Sequence, residues 1–133
     1  MGQKVHPYGF RLGTYDKSRP LVIDPAVIVY CGYIGGNSYD IAYGVAVDGN
    51  GAAYVTGQTY GASAFPTSVG PDTSPNGNYD AFIAKLNSQG TGFIYSGFIG
   101  GAGADRGAGV AVDANGSAYV IGQTQSTQTS FPV

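Results

Sequence analysis

The sequence predicts an all-β fold made of β-propeller blades, in which each blade is a four-stranded antiparallel sheet. The composition supports this prediction, because 23 glycines, 11 tyrosines and the absence of glutamate favour strands and tight turns over helices. A thirty-residue segment also occurs twice, and its β-rich stretches are apolar on both faces. Blades are covered on both faces by their neighbours, whereas a β-sandwich has polar outer faces. We therefore expect about two blade-equivalents in the chain and no substantial helix.

The two copies of the repeat align without a gap, residues 30–59 with residues 95–124, at a separation of 65 residues. Nineteen of the thirty aligned pairs are identical. After one inserted residue, the Phe-Pro pair at 65–66 matches the pair at 131–132. Self-similarity of this kind is the signature of propellers and other repeat architectures.

The strands of one complete unit follow each other along the chain. Residues 43–48 and 52–59 are predicted as the first and second strands, residues 79–87 as the third and residues 93–101 as the fourth. A loop rich in Pro, Gly, Ser and Asn spans residues 60–79. Short stretches rich in turn-forming residues separate the other predicted strands, so we expect the four strands to form one antiparallel meander.

Each copy joins its first two strands through the pattern D-x-N-G, which predicts a hairpin turn capped by the aspartate side chain. The predicted turn residues are Asp48, Asn50, Gly51, Asp113, Asn115 and Gly116. A Ca²⁺-binding loop is the less favoured alternative, because such loops need further acidic ligands and none follows in either copy. We therefore expect no cofactor, with Ca²⁺ as the one minor possibility.

Glycine pairs are predicted to lie in the loops between blades, and an aspartate follows each pair at the same spacing. These residues are Gly35, Gly36 and Asp40 in the first copy and Gly100, Gly101 and Asp105 in the second. The aspartates are expected to cap the loops by accepting hydrogen bonds from backbone N–H groups.

The predicted blades do not close a ring within one chain. A basic lead-in spans residues 1–18, and the repeat domain spans residues 19–133. That domain divides into a half blade at 19–36 with strands three and four at 19–24 and 27–36, a full blade at 43–101, and a half blade at 108–133 with strands one and two. Because a ring needs at least about four blades, the two halves are expected to complete one another between copies, in a ring or a filament. A fragment of a longer propeller is the alternative that stays open.

The motifs "YSGFIGG…DRGAGVAVDANGSAYVIGQT…FP" and "YDAFIAKLN" resemble the SBBP family of β-propeller repeats. Residues 10–25 are also similar to the lead-in that precedes the first such repeat, so the resemblance covers about residues 10–133. It implies a scaffold without family-wide catalytic residues, found mostly in large secreted or surface-attached bacterial proteins. An extracellular or cell-surface location is therefore favoured, although the first residues lack the apolar core of a signal peptide.

A second resemblance concerns the first thirteen residues, "MGQKVHPYGFRLG", which are similar to the start of the KH-containing bacterial small-subunit ribosomal protein family. In that family the basic start lies against ribosomal RNA. Here no KH-type GXXG loop follows, and the chain after residue 25 carries two basic residues against six aspartates. Because nucleic-acid affinity depends on clustered basic residues, we expect no nucleic-acid partner.

The sequence contains few candidate catalytic residues. His6 is the only histidine, Cys31 is the only cysteine, and no G-x-S-x-G nucleophile motif occurs. The chain also lacks the run of about 20 apolar residues that a membrane-spanning helix requires. We therefore predict that the protein is not an enzyme and has no membrane span.

The predicted function is a non-catalytic structural or interaction module that assembles with copies of itself. The alternative is a propeller that binds a glycan, another ligand or a surface protein, and a propeller enzyme acting on glycans is less favoured still. Tyrosines suit such recognition, because their rings are apolar and their hydroxyls are polar. The possible ligand-facing aromatics are Tyr39, Tyr60 and Tyr79.

Overall fold

The computed structural model of the chain describes Ser18 and residues 29–60, 64–70 and 72–131. These residues form six strands: β1 (Asp40–Val47), β2 (Ala53–Tyr60), β3 (Tyr79–Leu86), β4 (Phe93–Ile99), β5 (Asp105–Val112) and β6 (Ala118–Thr124). The first four form one sheet in the order β1-β2-β3-β4, and the last two form a second sheet. Every pairing is antiparallel, and no helix occurs among the described residues. The predicted all-β fold is confirmed, and the architecture is that of a partial propeller.

β1, which is the inner strand of its blade, starts earlier in the chain than the sequence predicts. β1 begins at Asp40, whereas the pattern predicts a start at residue 43. The register with β2 shifts between Ala42 and Gly44, so that Tyr43 forms a bulge. A bulge allows a strand to continue pairing through one extra residue, so β1 extends N-terminal to the apolar run by which the strand was predicted. β5 contains the matching shift between Gly107 and Gly109.

One strand prediction is wrong over the residues that the structure describes. The segment 27–36 was expected to form the fourth strand of a half blade, but residues 29–36 contain no strand. A strand requires a hydrogen-bonded neighbour, and no strand of the described residues pairs with residues 29–36. The predicted third strand at 19–24 and the lead-in at 1–18, apart from Ser18, lie outside the described residues. The half blade at 19–36 therefore remains a prediction.

The sheet of β1–β4 has two faces, which are named here by the side chains of its central strands. Face A carries Val55 and Ala84, and face B carries Tyr54 and Ile83. The same names apply to the matching sides of the β5–β6 hairpin, where Val120 lies on face A and Tyr119 on face B. Face A of the hairpin lies against face B of the four-stranded sheet, and β5 contacts β1, β2 and β3. The two sheets are therefore stacked as neighbouring blades.

The hydrophobic core lies on the outer part of face A. Phe65, from the loop between β2 and β3, contacts Phe82 and Phe98 at ring-centroid distances of 4.9 and 5.6 Å. Ala84 completes this buried cluster, and Ile34 packs against it from outside the sheet. The loop therefore covers the two outer strands, while the inner strands depend on a neighbouring blade for their burial.

Candidate functional site

The first D-x-N-G turn is closed by hydrogen bonds of Asp48. Its carboxylate Oδ1 accepts from the N–H groups of Asn50, at 2.9 Å, and Ala52, at 3.0 Å. Its carbonyl accepts from Gly51 N–H at 3.0 Å, and Gly51 has a φ of +83°. A side chain is strained at that φ, so the turn requires glycine at this position. Only the glycine, and not the asparagine, has a positive φ.

The second turn repeats this geometry. Asp113 Oδ1 accepts from the N–H groups of Asn115 at 2.9 Å and Ser117 at 2.8 Å, and Gly116 also has a φ of +83°. The hydrogen bond from Ser117, with the additional donor Asn115, lowers the pKa of Asp113. Both turns thus use their carboxylates as acceptors for backbone N–H groups, which leaves a structural role as the observed one.

The glycine pairs and the aspartates that follow them lie together in both copies. Gly36 N–H donates to Asp40 Oδ2 at 2.9 Å, and Gly101 N–H donates to Asp105 Oδ2 at 2.8 Å. The preceding glycines are equally close, since a Cβ at Gly35 or Gly100 would lie 2.6 or 2.5 Å from the same carboxylate oxygens. The crossing from one blade to the next therefore has the same structure twice.

The stacked blades are joined by a hydrogen bond between a tyrosine and a turn. The Tyr54 hydroxyl, which is fully buried on face B, donates to the Gly116 carbonyl of the neighbouring turn at 2.9 Å. The Lys85 ammonium lies 4.6 Å from the Tyr54 ring centroid and 3.5 Å from Asp48 Oδ2. The hydrogen bond from Tyr54 to Gly116 holds the turn of the second blade against face B of the first blade.

The inner strands of the two blades approach closely at glycines. A Cβ at Gly44 would lie 2.9 Å from Gly109 Cα, and a Cβ at Gly107 would lie 2.1 Å from Thr56 Oγ1. The backbones can adopt this separation only without side chains at these positions. Gly44 and Gly109 are also equivalent positions of the repeat, 65 residues apart.

Both ends of the two-blade stack expose apolar side chains. On face A of the four-stranded sheet, Val45 and Val47 are 68% and 62% exposed. On face B of the β5–β6 hairpin, Tyr119 and Ile121 are 61% and 71% exposed. Their repeat equivalents Tyr54 and Thr56 are fully buried between the blades. The exposed ends thus carry the same surfaces that pack against each other inside the chain.

Residues 30–34 lie on face A although they form no strand. They line a cavity of about 490 Å³ together with Ala53 and Val55 of β2. On face B, Tyr95 and Ile99 line a cavity of about 410 Å³ together with Ala118 and Val120. These four residues are the repeat equivalents of Tyr30, Ile34, Ala53 and Val55. The segment therefore occupies the place that an outer strand of the preceding blade takes in a propeller.

The comparison with protein families agrees with this geometry. A family model described as SBBP, a beta-propeller repeat, matches residues 30–66 and 94–128. The chain belongs to the SBBP beta-propeller repeat family. No curated protein and no solved structure matches the chain. The second matched range begins in β4, and the first begins in the equivalent segment on face A; both continue through the next hairpin, so an SBBP match crosses the boundary between two blades.

The tyrosines singled out as possible ligand contacts of this SBBP propeller lie at one end of the blades. Tyr60 and Tyr79 face each other across β2 and β3, with ring centroids 4.9 Å apart, and Tyr60 is 42% exposed. Tyr39 is exposed beside the start of β1, and its carbonyl accepts from Tyr60 N–H at 2.9 Å. The structure therefore brings Tyr60 and Tyr79 into contact and leaves Tyr39 next to them.

The pattern of the sequence gave no sign of two further features. Asp80 at the start of β3 is fully buried, and the Arg106 guanidinium lies 3.7 Å from the Tyr43 ring centroid, across the two inner strands. The contact between Arg106 and Tyr43 lies at the bulge of β1, and a bulge alters the direction of a side chain.

In residues 29–60, 64–70 and 72–131, no group of three His, Cys, Asp or Glu side chains is placed to hold a metal ion. The described part of the chain also contains no helix long and apolar enough to cross a membrane.

Proposed function

We propose that this SBBP chain is a non-catalytic structural or interaction module that assembles with copies of itself through complementary half blades. One observation carries the proposal: the apolar ends of the stack are repeat equivalents of surfaces that are buried against each other within the chain. Exposed apolar patches on soluble proteins commonly mark interfaces, and a terminal repeat with an apolar outer face needs a cover.

The packing inside the chain supplies the template for the contact between copies. Tyr54 of the full blade donates to Gly116 of the half blade. In the assembly, Tyr119 takes the role of Tyr54, and its hydroxyl donates to the carbonyl of Gly51 in the next copy. Ile121 of one copy then covers the inner strands of face A in that next copy. The interface joins two different surfaces, so it continues in one direction and either closes into a ring or extends as a filament.

The outer half of face B also needs a cover. The hairpin has two strands and faces a sheet of four, which leaves a cavity of about 400 Å³ lined by Ala81, Ile99 and Phe131, next to the cavity at Tyr95. In the assembly, residues 29–36 of the next copy lie in this groove, beside the blade begun by β5 and β6. Residues 30–34 keep their own position on face A of that next copy.

An aromatic pair supports the same arrangement. Phe65 packs on Phe98 within the full blade, and their repeat equivalents are Phe131 and Tyr33. Tyr33 is 75% exposed in the chain. In a composite blade, Phe131 of one copy packs on Tyr33 of the next, in the way that Phe65 packs on Phe98.

The oligomeric mass tests the proposal. The expected mass, measured by light scattering coupled to size exclusion, is a multiple of the chain mass, because three copies complete six blades and four complete eight. Ile121→Asp places a charge in the apolar interface and should reduce the mass to that of one chain. Ile94→Asp is the matched control, since Ile94 is 52% exposed on the outer strand and lies away from both ends of the stack. A folded wild-type monomer would contradict the proposal.

A further inference from the structure

We propose that the cleft between the two blades, at the end where β2 finishes and β5 starts, binds a neutral oligosaccharide. This cleft has a volume of about 420 Å³. Its lining includes Tyr79, Arg106 and the three glutamines Gln58, Gln123 and Gln125. A volume of this size accommodates one or two sugar rings and lies in the range of small-molecule sites.

The lining has the groups that sugar recognition uses. The Tyr79 ring is supported by Tyr60 at 4.9 Å, and such a ring offers an apolar surface for the C–H groups of a pyranose. The side-chain amides of Gln58, Gln123 and Gln125 have no hydrogen-bond partner within the described part of the chain. Each amide both donates and accepts, so neighbouring hydroxyls of a sugar can bind to it in pairs.

Two oppositely charged side chains, Asp105 and Arg106, line the cleft. The Asp105 carboxylate accepts from Gly101 N–H, from the Ser126 hydroxyl at 2.8 Å and from the Thr124 hydroxyl. The Arg106 guanidinium lies against the Tyr43 ring, across the inner strands. The lining thus carries one negative and one positive side chain and has no net charge, which favours a neutral sugar over an acidic one.

The repeat brings the same type of cleft to the contact between copies. Under the proposed self-assembly, on which this step alone rests, the equivalents of Ala104 and Gln125 are Tyr39 and Tyr60. Gln123 of one copy then faces these two tyrosines and Gln58 of the next. Tyr39, Tyr60 and Tyr79 would thus all border clefts that combine aromatic rings with glutamine amides.

Saturation-transfer NMR with defined tetrasaccharides tests the inference. The probes are cellotetraose, maltotetraose and chitotetraose as neutral sugars and tetragalacturonate as the acidic one. We expect saturation transfer from the protein to at least one neutral tetrasaccharide, which shows that it binds. Tyr79→Ala and Gln58→Ala should each weaken its binding at least about tenfold, whereas Tyr79→Phe, which keeps the ring, should bind within about threefold of wild type. Gln89→Ala, in an exposed turn outside the cleft, is the control.

The outcomes separate this inference from the proposed self-assembly. Circular dichroism and light scattering on each variant report folding and mass, so a variant that loses binding with its mass unchanged supports the cleft. Absence of binding by every neutral tetrasaccharide, binding limited to tetragalacturonate, or unchanged binding by a folded Tyr79→Ala variant would overturn the inference. None of these results would alter the measured oligomeric mass.

Discussion

Asp80 is a buried carboxylate at the start of β3, close to the point where one blade meets the next. Its Oδ1 accepts from Asn76 N–H at 3.2 Å, and its Oδ2 has no hydrogen-bond partner among the described residues. Burial, together with the Asp105 and Asp72 carboxylates, raises the pKa of Asp80. An ionised carboxylate at this position is therefore held at a cost in stability.

The pH dependence of unfolding tests this account of Asp80. The raised pKa means that the folded chain holds its proton longer than the unfolded chain, whose pKa is near 3.8. Stability should therefore decrease as the pH rises from about 4 through the folded-state pKa. Asp80→Asn keeps the acceptor for Asn76 and removes the charge, so its unfolding temperature at pH 7 should be a few degrees higher. Thermal unfolding followed by circular dichroism at pH 4 and pH 7 measures both effects.

Asp113→Asn is the control of opposite sign. The pKa of Asp113 is lowered by its hydrogen bond from Ser117, so this carboxylate stabilises the fold at neutral pH and loses that contribution as the pH falls through its folded-state pKa. The substitution should lower the unfolding temperature at pH 7. An Asp80→Asn variant with the same pH dependence as wild type would refute the role given to Asp80.

At the scale of elements, the inner strands β1 and β5 are placed by a contact between glycines. Gly44→Ala puts a Cβ 2.9 Å from Gly109 Cα, and a backbone atom cannot move aside as a side chain can. We expect the variant to lose about 1–3 kcal/mol of stability, as overpacked sites do. Gly49→Ala is the control, since no atom lies within 4 Å of its added Cβ and alanine occupies the matching position, Ala114. Chemical denaturation measures the difference.

The equivalent glycine of β5 gives a complementary result. A Cβ at Gly109 would lie 3.5 Å from Ile121 Cγ1, an ordinary contact, so Gly109→Ala should leave the stability of the single chain nearly unchanged. Under the proposed assembly, Gly109 faces Gly44 of the next copy, and the same substitution should lower the oligomeric mass. Loss of stability in Gly109→Ala equal to that of Gly44→Ala would contradict the equivalence of the two interfaces.

At the scale of the whole molecule, the reactivity of Cys31 tests whether the segment around it becomes buried between copies. Cys31 is exposed in the chain, whereas its repeat equivalent Ser96 is fully buried in β4. If residues 19–36 complete a blade with β5 and β6 of another copy, the Cys31 thiol becomes buried in the assembly. Alkylation by iodoacetamide should then be at least about tenfold slower in the wild-type assembly than in the Ile121→Asp variant, because burial removes the reactive thiolate from solvent.

Two measurements complete that experiment. Both proteins should react at the same rate in denaturant, which shows that the substitution does not change the thiol itself. Equal rates under native conditions, with the two masses different, would show that the copies associate without burying residues 29–36.

Much of the fold followed from patterns in single segments. The bounds of β2, β3 and β4 were predicted within a residue or two. The prediction used the D-x-N-G turns, the apolar runs on both faces and the repeat. The start of β1 was missed because pairing with β2 continues through the bulge at Tyr43 as far as Asp40, and the apolar run does not show this. The segment 27–36 was predicted as a strand from its likeness to β4, and likeness cannot supply the neighbouring strand that a β-strand needs.

The candidate site depended more on contacts between distant residues. The residues of the turns and of the glycine loops could be selected from the sequence, because their hydrogen bonds join residues within four positions of each other. The cleft between the blades could not, because Gln58, Tyr79 and Gln123 meet only when β5 and β6 stack on face B. Asp80 was equally hidden, since nothing in a local pattern shows that a carboxylate will be buried.

The sequence by itself determined the strand-and-turn unit and its repetition, because periodicity, turn residues and self-similarity are properties of short segments. Only the tertiary structure decided which faces are buried against each other and which remain exposed. Stacking brings together residues 62 positions apart, such as Tyr54 and Gly116, and leaves their equivalents Tyr119 and Gly51 without that contact. That difference between two copies of one repeat arises from their places in the stack, which no local pattern records.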